Sequence, residues 1–98
     1  MINTKKFTIK INKDYLLVDN KQSFILRLYE NQICHFKIIN MSNDVSTKFY
    51  ISYDPEGKFP LSFPLNKGHF TLSITNEMPK VLYYYCTNMQ IGNAIIIN

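Results

Sequence analysis

The sequence predicts an all-β protein, an antiparallel sandwich or barrel. Two observations carry this. Short runs rich in β-branched and aromatic residues recur about every 8 to 12 residues, each bounded by turn residues. No window sustains a helical period over the length of an ordinary helix.

Each element has its own reason. Residues 7–11 alternate apolar and polar, with Phe7, Ile9 and Ile11 on one side, and Asn12, Lys13 and Asp14 then turn the chain. Residues 15–18 form a second short strand, and 19–22 turn again. Residues 24–29 form a third, with Phe24, Leu26 and Leu28 on one face. After a tight connection at 30–32, residues 33–39 place Cys34, Phe36 and Ile38 on one face, and His35 and Lys37 on the other. Residues 40–44 read as a loop and 47–53 as a fifth strand. In the turn at 54–57, Pro55 fixes φ and Gly57 supplies a positive one. Residues 59–65 alternate, but Pro60 and Pro64 confine them to a sheet edge or an irregular extended segment. Residues 69–75 form a strand with Phe70, Leu72 and Ile74 on one face, and residues 81–86 and 93–97 supply the last two. The expected core is Ile9, Ile11, Leu26, Leu28, Phe36, Ile38, Phe49, Ile51, Leu72, Ile74, Leu82, Tyr84, Ile95 and Ile97.

Ninety-eight residues make a single domain, 1–98, with a modest core that removes roughly two-thirds of the chain's surface from water. A hydrophobic content of 46% excludes disorder, which needs low hydrophobicity and high net charge. Heavy use of Asn, Ile, Lys and Tyr with little Gly or Ala reads as the codon bias of an AT-rich genome, such as that of a large DNA virus or a protist. The net charge of +4 raises nucleic acid as a partner. The lysines, however, are scattered, Arg27 is the one arginine, and alternation of lysine with apolar residues is what the wet face of a strand looks like. The composition therefore disfavours a nucleic-acid partner. Residues 1–6 lack the apolar stretch of a signal peptide, and nothing approaches the roughly 20 apolar residues of a membrane span. The expectation is an intracellular or virion-packaged protein with no membrane partner.

Five segments in register resemble the cupredoxin (plastocyanin-like) family. Residues 26–38, from Leu26 through Tyr29, Gln32 and Phe36 to Ile38, are similar to that family's L-x-L-Y-R-G-Q-x-Y-x-F-x-I segment. Phe49-Tyr50-Ile51 resembles the tail of its H-P-F-Y-I strand, and residues 67–72 its x-G-x-L-T-F. Pro79 to Cys86 is close to P-x-x-L-Y-Y-x-C, and Ile91 to Ile97 to M-G-G-x-I-x-I. The resemblance spans nearly the whole chain and implies a Greek-key β-sandwich of about seven to nine strands.

A type-1 copper centre uses two histidines, a cysteine thiolate and a weak axial methionine. Carried over position by position, the first histidine is Thr47, the cysteine is Cys86 and the second histidine is Met89. The axial methionine falls at Ile91, or at Gly92 if the loop is not one residue shorter. Copper(II) wants imidazole beside the thiolate, and Thr47 and Met89 do not supply it. The resemblance thus implies a retained scaffold with vestigial ligand positions and no cofactor. The alternative is a divergent copper-binding or electron-transfer protein using Cys86 with Met89; Met41 would add a second thioether if its loop lies at the same pole, and thioethers with a thiolate suit Cu(I).

Other residues carry competing readings. Cys86 is either a ligand or reactive thiol, with Lys48 a conceivable activating neighbour, or a semi-buried structural cysteine; the structural reading is favoured. Cys34 and Cys86 lie at levels separated by roughly 20 Å along their strands, which rules out a disulfide between them, and Cys34 reads as core. His35 and His69 occupy no ligand position and read as surface or hydrogen-bonded histidines. Tyr83 and Tyr85 share one strand face and Tyr84 takes the other, which offers either a contact surface or cross-strand packing. No G-x-S-x-G, phosphate-binding glycine loop or H-E-x-x-H occurs, and Asp54 and Glu56 read as turn residues. The expected function is non-enzymatic: a structural or protein-interaction component, with a viral particle as a setting the composition suggests, and with a protein partner or self-association.

Overall fold

The structure, a computed structural model, describes residues 3–22, 24–88 and 91–98. Among these there are nine strands and no helix. They are β1 (Asn3–Ile11), β2 (Leu16–Val18), β3 (Lys21–Gln22), β4 (Leu26–Leu28), β5 (Gln32–Asn40), β6 (Phe49–Ser52), β7 (Gly68–Ser73), β8 (Val81–Cys86) and β9 (Ile91–Ile97). They form two sheets, ordered β3-β2-β1-β5-β7 and β4-β9-β8-β6. After β3, each connection up to β8 passes from one sheet to the other. The expected all-β sandwich is present.

Two expectations need correction. The sheets are mixed rather than antiparallel: β1 runs parallel to β5 over nine residue pairs, and β4 parallel to β9. Strand alternation reports which face is buried and is the same for either direction of the neighbour. Residues 21–22 are not turn but strand. Asp19 and Asn20 both adopt positive φ (51° and 66°) and close a two-residue hairpin, with Val18 opposite Lys21. Residues 59–65 are, as their prolines imply, an irregular extended segment at a sheet edge. They hold the outer edge of β6 through two isolated bridges, Phe49 with Leu65 and Ser52 with Pro60.

All the expected core residues are buried, and Phe7, Leu16, Val18, Cys34 and Cys86 join them. An aromatic column crosses the sandwich. Phe36 stacks between Phe7 (5.2 Å) and Phe70 (4.7 Å) within the first sheet. Phe49, from the second sheet, meets Phe36 at 6.3 Å and Tyr84 at 6.0 Å. Such offset and tilted ring pairs add to the burial term. The strand directions bring the end of β5, the start of β6, the end of β8 and the start of β9 to one pole.

Candidate metal centre

Cys86 is the last residue of β8 and pairs with Phe49 on one side and Ile91 on the other. Alternation from Leu82 and Tyr84 turns its side chain inward, and it is fully buried rather than semi-buried. Burial alone pushes its thiol up to about 11, so at neutral pH it is protonated. Lys48 does not lower it: the Lys48 side chain is exposed and contributes nothing to the shift. Cys34 is likewise buried and raised to about 11 by desolvation, against a smaller opposing effect of Lys5. Both are thiols, not a disulfide.

Thr47, just before β6, is 3% exposed. Its amide donates to the Asp44 carbonyl at 3.2 Å. Its Oγ1 lies 3.4 Å from Nδ2 of Asn88, which also donates to Ser46 Oγ at 2.6 Å. Thr87 completes the tie: its amide donates to the Lys48 carbonyl (2.9 Å), its Oγ1 accepts from the Lys48 amide (2.9 Å), and its hydroxyl donates to the Ser46 carbonyl (3.2 Å). Asn88 sits at φ 68°, a left-handed conformation that asparagine tolerates. Asp44 accepts from the hydroxyl and amide of Ser46, and these bonds hold its carboxyl below the usual range. A network of amides, hydroxyls and one carboxylate therefore staples the loop after β5 to the turn after β8.

The structure thus brings two of the expected positions, Thr47 and Cys86, to the same pole. Met89 lies outside the described residues, and of Ile91 only the backbone is described. The loop at 40–44 does reach this pole, with the Met41 amide donating to Ile11, but the Met41 side chain is largely exposed. Both histidines lie on the outer face of the first sheet. His35 Nδ1 is 3.1 Å from Thr71 Oγ1, and His69 stands opposite Lys37. Neither approaches Cys86 through the core. Among the described residues no group of three or more His, Cys, Asp or Glu is placed to hold a metal. The residues described at this pole do not fit a centre of two imidazoles and a thiolate. Sequence reading missed Thr87 and Asn88, whose one signal was an asparagine in a short loop straight after a strand.

Tyr84 is buried, and its hydroxyl donates to the Phe24 carbonyl at 2.6 Å. Tyr83 and Tyr85 are half-buried on the opposite face, where they line a cavity of about 270 Å³ with Pro55, Gly92, Asn93 and Ala94.

No family model matches the chain, and no curated protein matches it. Solved structures do. The copper protein rusticyanin superposes with a TM-score of 0.78 at 14% identity, over 100% of this chain and 80% of that one. Rusticyanin from Thiobacillus ferrooxidans gives 0.76 at 14%, over 100% and 79%. Reduced rusticyanin gives 0.76 at 14%, over 100% and 81%. Rusticyanin is a cupredoxin. Full coverage of this chain at TM-scores of 0.76 to 0.78, at an identity too low to carry function, establishes one thing: the chain has the cupredoxin fold.

Proposed function

We propose that the chain is a non-enzymatic cupredoxin-fold module that has lost the type-1 copper centre and acts through its surface, as a structural or protein-interaction component. One observation carries this reading. The first-histidine position holds Thr47, which is engaged with Asn88 beside a buried, protonated Cys86. A fold readily outlives the site once grafted on it. Hydroxyl and amide groups are poor partners for copper beside a thiolate, whereas they are good staples between two loops.

The test is a copper titration of the reduced protein, followed by visible absorption and bound-metal analysis and repeated on Cys86→Ser. The expected result is no stoichiometric copper and no intense thiolate charge-transfer band in either protein. Stoichiometric copper with such a band, lost in Cys86→Ser, would overturn the proposal and make the chain a divergent copper protein that uses Cys86.

A further inference from the structure

We propose that a cleft on the open side of the sandwich binds the phosphate of a nucleotide, with the base against Phe24. The cleft has a volume of about 330 Å³ and is lined by Lys5, Phe7, Asp19, Lys21, Phe24 and Arg27, among others. None of these residues belongs to the network around Thr47 and Asn88, so the inference stands whether or not copper binds at Cys86.

The charges converge there in a way the linear sequence hides. Three cations and one carboxylate line the cleft. Asp19 already has Oδ1 engaged by the Thr8 amide at 2.8 Å. Among the described residues the ion pairs are Lys58 with Glu56 and Lys80 with Glu30, so Lys5, Lys21 and Arg27 take part in none. Arg27 is the chain's one arginine. It sits between the buried Leu26 and Leu28 at the centre of β4, so alternation turns its guanidinium outward. A guanidinium fork matches phosphate oxygens with two parallel hydrogen bonds, and an ammonium adds a point charge.

The apolar half of the site is equally specific. Lys5 Nζ lies 5.6 Å from the Phe7 ring centre and Lys21 Nζ 5.7 Å from that of Phe24. Phe24 is only half-buried, so part of its ring remains at the cleft. Cations around a partly exposed ring, one of them over it, are a combination that binds a phosphate and offers a surface to a base. A bare anion would use the cations and leave the ring idle. The same chemistry is offered by a free nucleotide and by a nucleic-acid strand.

The experiment is a titration of ¹⁵N-labelled protein, at about 50 mM salt, with AMP, inorganic phosphate and a short oligothymidylate, followed by amide shifts. AMP is expected to move the amides of Lys5, Lys21 and Arg27. Arg27→Gln should weaken AMP at least about tenfold, the loss expected for a charge-assisted pair of hydrogen bonds. Lys67→Gln, the charge-matched control beside Asn40 and Val45 at the other pole, should change it less than about twofold, as expected for a charge remote from the site. Phe24→Leu should weaken AMP while leaving inorganic phosphate unchanged. No movement of these amides, equal losses in Arg27→Gln and Lys67→Gln, or equal affinity for AMP and inorganic phosphate would each overturn the proposal. Tighter binding of the oligothymidylate than of AMP would name a strand as the source, and the reverse a free nucleotide; both outcomes support the site.

Discussion

Asp54 shows how one side chain can organise a loop. Its Oδ1 accepts from the Ser52 hydroxyl (2.7 Å) and the Phe59 amide (2.8 Å), and its Oδ2 from the amides of Lys58 (3.0 Å) and Glu56 (3.1 Å). Gly57 at φ 74° lets the loop fold back so that the Tyr50 hydroxyl donates to its carbonyl at 2.6 Å. A Cβ at Gly57 would run into that hydroxyl and come within 2.9 Å of Tyr85. Burial pushes the Asp54 carboxyl up, but the four hydrogen bonds together outweigh it and hold the group at about 2. That lies below the unfolded value of about 3.9. The stabilisation is therefore complete above the unfolded value and disappears as the pH falls through the folded one. Asp54→Asn should be less stable than the parent in urea at neutral pH, and the gap should close as the pH is lowered from about 4 to about 2. A gap that stayed constant over this range would mean that the carboxylate charge is irrelevant to the loop. Sequence reading placed Asp54 and Glu56 in a turn. It could not count the donors, because these come from Ser52, Glu56, Lys58 and Phe59 only once the loop has closed.

Apart from residues 21–22, strand identity was readable from the sequence, but strand partners were not. The alternation in residues 33–39 separates Phe36 from His35 correctly, yet it is silent on whether β1 arrives parallel or antiparallel. Pairing direction depends on which connection crosses the sandwich, and that is a property of several elements at once. The segment at 59–65 was readable for a local reason: proline. The amides of Leu61 and Ser62 donate to Ile51, and Leu65 and Phe49 exchange two bonds, so the segment covers the edge of β6. Pro60 directly precedes Leu61 and Pro64 directly precedes Leu65, and having no N–H, neither adds a donor to the segment's outer rim. Prolines and irregularity are standard protection for a sheet edge. Phe63, 83% exposed, makes that protection more necessary. Replacing both prolines by valine is expected to regularise the segment and raise concentration-dependent light scattering above that of the parent. Identical scattering from the two proteins would show that the prolines do not guard this edge.

The sandwich is held by a core that the apolar pattern specifies almost completely, whereas the candidate metal pole is specified only by position. Thr47 and Cys86 could be assigned to one pole only through the resemblance to the cupredoxin family, whose ligand positions they occupy. The bonds from Asn88 and Thr87 could not, since they join residues about forty positions apart in the chain. The core argument can be tested at its centre. Phe36 is fully buried and contacts rings from both sheets: Phe7 and Phe70 beside it, and Phe49 opposite. Truncating it removes apolar burial and leaves a cavity that interleaved strands cannot collapse, a combination that costs about 3–5 kcal/mol. Domains of this size have roughly 5–15 kcal/mol in total, so Phe36→Ala should lose a large fraction of its resistance to denaturant. Phe63→Ala deletes the same atoms from an exposed side chain and should stay within about 0.5 kcal/mol of the parent. Phe70→Ala, at a half-buried ring stacked on Phe36, should fall between the two. Urea midpoints for the three variants place them in that order if the Phe36 column joins the two sheets. A Phe36→Ala midpoint no lower than that of Phe63→Ala would remove the column from the centre of the fold.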